Sequence, residues 1–395
     1  MSSMVSKHAR QRLKPLYLAS FLQGMIFWYT VDKLLATSVG ITTAQVGIIL
    51  AVMSAVTIIT EIPSGILADR WSRKGVLFIS LVALLFSTAF GAVATAPWHY
   101  LGLSIFWGIY YAMYSGTYEA IVYDTLVEEE GDGRHFERMY GRVGRCEAAG
   151  LVVSSVIGGL LSSAFGIHVP FFATTPFLIM ALVFVVLLQE PKVHKMHDTT
   201  NFTSHLVDTF RAVVSSRQLI TYFIVSMLLG AVLRTFWEYG QYWYIQLSLP
   251  LGLFGVINAG VLLMMWARSW AADRIKFDRN NLLTACLFLG ALTSMLLTTR
   301  NPYVAAIALI SLMFWLLLAE LVLSGLRQAL LPSRLRAGAA SVFSTVGHAV
   351  FIPVGIAFGY LAKDGRVTSA VLLPMCILGI AAVVSAAARR SVMVE

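Results

Sequence analysis

The sequence predicts an all-α membrane protein of twelve transmembrane helices, grouped six and six. Three observations carry this. Hydrophobic residues make up 58% of the 395 residues and charged residues 12%, with a mean hydropathy of +0.77; a soluble domain carries roughly 25% charge. The apolar residues fall into twelve runs, each long enough to cross ~30 Å of hydrocarbon as a helix. The bases collect in every second connection between those runs, the usual signature of membrane topology.

The runs lie at about 14–37, 43–66, 75–95, 99–123, 141–165, 169–189, 217–246, 251–271, 281–299, 303–327, 338–361 and 368–388. Each is expected to be a helix, because a backbone in lipid must satisfy its own hydrogen bonds. A β-barrel is excluded, since its strands alternate in short segments. With both termini on the cytoplasmic side of the cell membrane, that side holds 24 of the 29 Lys and Arg residues. The net charge of +9 therefore reads as topology and not as nucleic-acid binding. Cys146, Cys286 and Cys376 fall in separate runs and suggest neither a disulfide framework nor a metal site. The first run is too long for a cleavable signal peptide.

The expected organisation is a tail at 1–13, one six-helix bundle at 14–189, a linker at 190–216, a second bundle at 217–388 and a tail at 389–395. The linker histidines His194, His197 and His205 read as part of a solvated connection. An internal repeat supports the division. The loop after span two carries Asp69-Arg70, and the loop after span eight carries Asp273-Arg274 within Arg268–Arg279.

The stretch Gly65-Ile-Leu-Ala-Asp69-Arg70-Trp-Ser-Arg73-Lys74 resembles the loop signature of the major facilitator superfamily, G-x-L-A-D-R-x-G-R-K, and departs from it only at Ser72. The resemblance implies two pseudo-symmetric six-helix bundles about a central cavity, and transport by alternating access. It also implies that Asp69 caps the N-terminus of span eleven, where a helix dipole favours an anion. Arg70 or Arg73 is expected to reach Asp124 at the foot of span four and hold an inner gate shut. In span five, Gly141, Gly150, Ser154, Ser155, Gly158 and Gly159 resemble the superfamily's antiporter motif, with Ser-Ser at the central Gly-Pro. Small residues at that spacing allow close helix approach.

Ionisable side chains within spans are functional candidates because lipid penalises them. Asp32 follows Trp28 by four residues in span one, a spacing that puts an acid beside an aromatic on one helix face; Lys33 adjoins it. Trp107, Tyr111, Tyr114 and Tyr118 recur at helical spacing in span four and are expected to form one stripe. Glu119 has no basic neighbour on its helix, as a proton carrier needs. Glu147, flanked by Arg142 and Arg145, is expected to form a structural ion pair. In span seven, Arg234 and Glu238 are four apart and can pair, with Trp237 beside them. Asn258, Glu320 and His348 complete the set. The charge run from Glu128 to His135 reads as a solvated loop.

No nucleotide-binding loop, hydrolase elbow, cofactor fingerprint or metal cluster is evident. The expectation is a non-enzymatic, monomeric secondary transporter exporting a small amphipathic or cationic compound, a drug-efflux type of activity, by proton antiport. It needs no cofactor; its partners are the substrate, protons and the lipid bilayer. Asp32, Glu119, Glu320 and His348 are the proton-coupling candidates. Trp28, Tyr111, Tyr114, Tyr118, Arg234, Trp237, Glu238 and Asn258 are the cavity candidates. The alternatives are a facilitator or importer of a polar metabolite such as a sugar or organic acid, and a receptor or scaffold that does not transport.

Overall fold

The structure, a computed structural model, describes residues 6–192, 216–274, 279–330 and 336–392, and these are helical with short connections and no strand. Among the described residues, ten helices are long and apolar enough to cross a membrane, from Thr43–Arg70 and Arg73–Ala92 to Val342–Leu361 and Val367–Ala387. They are spans two, three and five to twelve. The linker histidines and the side chain of Asp273 lie outside the described residues.

Spans one and four are not continuous helices. Span one consists of Lys14–Gln23, a 3-10 turn Phe27–Thr30 and a second helix Asp32–Ser38. Gly24, Met25 and Ile26 separate the first two pieces, with Ile26 at φ −96° and ψ 82°. Span four consists of Pro97–Tyr114 and Thr117–Glu130, parted by Ser115 and by Gly116 at φ +78°, a left-handed conformation that glycine adopts without strain. Both spans were expected to run unbroken. Glycine is frequent inside membrane helices, so neither residue marks a break by itself.

The chain packs as two units. One comprises residues 1–41, 52–197 and 250–259; the other comprises 42–51, 198–249 and 260–395. In the first, span five carries span one. A Cβ on Gly150 would meet the Phe21 carbonyl, one on Gly158 the Phe27 carbonyl, and one on Gly24 the Glu147 carbonyl. The Ser154 hydroxyl donates to the Gly24 carbonyl at 3.0 Å. The Thr174 hydroxyl accepts from the Phe27 N–H at 3.1 Å. Backbone groups loosened by the break are thus met by a neighbouring helix, as hydrocarbon surroundings demand. The other face of the same small-residue segment receives residues 252–258. A Cβ on Gly159 would lie 2.8 Å from the Gly255 nitrogen, and the Asn258 amide donates to the Ser155 hydroxyl at 2.9 Å.

In the second unit, residues 43–47 lie against span eleven. A Cβ on Gly47 would lie 2.9 Å from the Gly355 carbonyl, and one on Gly359 2.5 Å from the Thr43 carbonyl. The Tyr239 hydroxyl donates to Gly355 at 2.8 Å.

The run Glu128–His135 is not a solvated loop. It anchors a short N-terminal helix, Lys7–Arg12. The Ser6 N–H donates to Glu130 at 2.8 Å, Arg12 donates to Glu129 at 2.5 Å, and His8 meets Glu129 at 2.6 Å. Glu128 accepts from the Lys192 N–H at 2.7 Å, and Glu130 meets His135 at 2.7 Å. The hydrogen bonds from Arg12 and His8 hold the Glu129 carboxyl below the ordinary carboxylate range. Its contribution is therefore present above that range and fades as pH falls through the lowered value.

Two outcomes follow for the purified protein. G158A should lower the thermal midpoint more than S154A, because the first forces two backbones apart and the second removes one hydrogen bond, about 0.5–1.5 kcal/mol, from a Gly24 carbonyl that still accepts from the Ile26 N–H. An unchanged midpoint for G158A contradicts this packing. The double variant E128Q/E129Q should expose Arg10 and Arg12 to trypsin faster than wild type; equal digestion rates contradict the anchor.

Candidate functional site

The loop between spans two and three is held by four helices of the first unit. Ser72 caps span three, accepting from the Gly75 N–H at 2.8 Å, while its hydroxyl donates to Glu190 at 2.7 Å. Glu190 also accepts from the Lys74 N–H at 3.2 Å, and the Lys74 ammonium donates to the Val186 carbonyl at 2.6 Å. A carboxylate at a helix N-terminus is favoured by the dipole and the unpaired N–H groups there. The hydroxyl at position 72, where the family pattern has glycine, thus adds a cap and a tie to the end of span six.

Of the two candidate arginines, Arg73 pairs with Asp124 and donates to the Ala120 carbonyl at 3.1 Å. Arg70 and Gly65 are exposed, and Gly65 has open space where a Cβ would stand. Asp69 is 74% exposed and lies 3.8 Å from Arg73. In the second unit Arg274 is exposed. The base that engages span ten is Arg268, at 2.7 Å from Glu320 and 3.1 Å from the Leu317 carbonyl.

Asp32 and Lys33 are buried together, with 2.5 Å between carboxylate and ammonium. Lys33 also donates to the Tyr100 hydroxyl at 3.2 Å. The non-helical Val31, at φ −132° and ψ 8°, separates Asp32 from the turn carrying Trp28. The indole instead donates to Thr88 at 3.1 Å and stacks on Phe171, with ring centroids 5.1 Å apart.

The aromatic stripe of span four runs through Tyr110 and not Tyr111, which is 45% exposed. Successive centroid distances are 5.2 Å from Trp107 to Tyr110, 5.5 Å from Tyr110 to Tyr114 and 5.2 Å from Tyr114 to Tyr118. The column continues across the break at Ser115–Gly116. Gln23, the last residue of the first helix of span one, ties it together. Its amide donates to Tyr110 at 2.7 Å and accepts from the Tyr118 hydroxyl at 2.8 Å.

Glu147, expected in an ion pair, stands at this column. Its carboxylate accepts from the Tyr114 hydroxyl at 2.5 Å, and no base of the described residues pairs with it. Arg142 and Arg145 lie five and two residues before it, separations that do not share a helix face. The sequence signal was present in that spacing, since positions three and four away from Glu147 hold only Val143, Gly144, Gly150 and Leu151. Glu119 is exposed in the first turn of the helix after the break.

In the second unit Arg234 donates to His348, at 2.6 Å from Nδ1 and 3.0 Å from Nε2. Its guanidinium lies 4.9 Å from the Phe351 ring centroid. A guanidinium only donates, so the imidazole nitrogen facing it accepts. Trp237 and Glu238 are half-buried on the same span.

The Asp32–Lys33 pair gives a direct test. D32N removes the carboxylate 2.5 Å from a buried ammonium and should cost about 3–5 kcal/mol. The double variant D32N/K33M should recover most of it, measured by thermal unfolding in detergent. A fully stable D32N contradicts a structural role for the pair.

Residues 15–359 match the family described as Major Facilitator Superfamily. Two curated relatives from Escherichia coli, the class C and class E tetracycline resistance proteins, are each 26% identical over 222 and 231 residues. The matches cover 54% of this chain and 54% and 53% of the relatives, so the chain spans about half the length of the curated relatives it matches. Among solved structures, a point variant of the nucleoside transporter NupG aligns with a TM-score of 0.79 at 17% identity, over 96% of this chain and 99% of that one. A bacterial homologue of the human lysosomal transporter Spinster aligns at 0.74 and 14%, over 99% and 98%. These likenesses concern the fold. With the family match extending from span one into span eleven, and the loop and span-five segments in place, this chain belongs to the major facilitator superfamily.

Proposed function

We propose that the protein exports a small amphipathic or cationic compound across the cell membrane in exchange for protons, as a monomer with both termini in the cytoplasm. The observation that carries this reading is the state of the membrane acids. Asp32 is neutralised by Lys33 and Glu320 by Arg268. Of the remaining candidates, His348 faces Arg234 and Glu119 has no base paired with it among the described residues; Glu147, expected in an ion pair, likewise has none among them and joins the candidates. The tetracycline resistance relatives support a drug-efflux activity.

The loop residues Asp69, Arg70, Arg73, Lys74 and Asp124, with Asp273 and Arg274 in the second half, serve the inner gate. The four-helix tie built on Arg73, Ser72 and Glu190 makes that end of the first unit move as one piece. Asp69 is exposed and lies 3.8 Å from Arg73 of the tie. The small-residue faces of span five and span eleven let helices slide at close range without a change of side-chain volume.

The test is flux of a fluorescent amphipathic compound in proteoliposomes with an imposed proton gradient. Gradient-driven flux that a protonophore abolishes supports antiport, and E119Q should lower it by at least about tenfold, the scale of losing one proton-transfer group. Flux indifferent to the gradient overturns the reading.

A further inference from the structure

We infer that Glu147, with the ring and hydroxyl of Tyr114, is the binding site for the cationic group of the substrate, and that this cation and a proton occupy Glu147 in turn. The inference rests on the export reading above and names the ligand chemistry and the residues.

The argument begins with charge. A carboxylate inside the low-dielectric part of a bundle is costly to keep ionised without a positive partner. Two other acids of the first unit's spans have one: Asp32 has Lys33, and Asp124 has Arg73, while Glu119 is exposed. Glu147 has a phenol. The neighbouring elements offer no substitute. Span four, over Pro97–Glu130, contains no Lys or Arg, and span six, over Val169–Leu187, contains no ionisable residue. Lys14 of span one sits at the opposite end of its helix from Gln23. The groups around Glu147 are therefore Tyr110, Tyr114, Tyr118 and Gln23, with Glu119 beyond them on span four.

The second step is shape. Tyr110, Tyr114 and Tyr118 form a continuous column of rings whose hydroxyls are oriented by Gln23 and by Glu147 itself. A carboxylate at the side of stacked phenol rings favours an organic cation with an apolar skirt: the charge meets the carboxylate, and the skirt meets the π faces. A hydrated metal ion gains little from such a wall. Glu147 and Tyr114 are half-buried, whereas Tyr110 and Tyr118 are closed in.

The third step is place. The column lies where both broken spans are interrupted, at Gly24–Ile26 and Ser115–Gly116. Broken helices let a membrane bundle present polar atoms in its interior. The Glu147 carbonyl lies against Gly24 itself, so occupancy of the carboxylate bears directly on the break in span one.

The experiment uses the purified full chain in weakly buffered detergent with tetraphenylphosphonium as probe. Wild type should bind it and release a proton on binding. E147Q keeps the acceptor for Tyr114, so the fold is retained; it should lose proton release and bind about tenfold or more weakly, the order expected for one desolvated charge contact. E147D should keep proton release. Y114F, which retains the ring, should still bind and release. Unchanged binding and proton release in E147Q overturn the inference. Gradient-driven export of neutral compounds, with no binding of tetraphenylphosphonium or ethidium, also overturns it and leaves the export reading standing. Absence of gradient-driven flux for any compound overturns the export reading instead.

Discussion

The rest of the first unit depends on the backbone contact between spans one and five. A chain inside lipid cannot leave peptide groups unpaired, so an interrupted span needs a neighbour that reaches them. Gly150, Ser154 and Gly158 remove side-chain bulk along one face of span five and let the broken stretch of span one settle against it. The break ends the first helix at Gln23, and that places an amide between two phenols of span four. The Tyr column, its carboxylate and the interruption are thus one arrangement. Removing the small residues would undo all three.

Much of this was legible in the sequence and some was not. Twelve apolar runs, the basic connections and the Gly65–Lys74 signature specify the fold class because each rests on a rule with few exceptions: length, charge asymmetry and an ordered motif. The two breaks were not legible, since Gly24 and Gly116 look like the glycines of any membrane helix. The helical spacing from Trp107 predicts Tyr111 in the aromatic column. Tyr110 has an equally helical spacing, and Gln23, from another element, decides between them. Glu147 was assigned to flanking arginines by proximity in sequence, where helix geometry already argues against it. The acids at 128–130 read as solvated because their partners, Ser6, His8 and Arg12, are more than a hundred residues away.

The two halves keep the repeat in altered chemistry. In the first half the Ser64 hydroxyl donates to the Ala112 carbonyl at 3.2 Å, joining spans two and four. At the matching place in the second half, Arg268 donates to the Leu317 carbonyl and pairs with Glu320. Span four is broken beside this contact and span ten is not. A charged pair in one half and a hydroxyl in the other give two bundles of the same plan with different polarity inside. Glu147, which has no basic partner among the described residues, sits in the half whose spans are broken.

The central claim is that Glu147 exchanges a proton for a cation. Infrared difference spectroscopy of the full chain reads that exchange at the carboxyl itself. Adding tetraphenylphosphonium to wild type should remove a carboxylic-acid carbonyl band and raise a carboxylate band, and E147Q should show neither change. A protonated carboxyl band that persists in wild type with the cation bound would contradict the account.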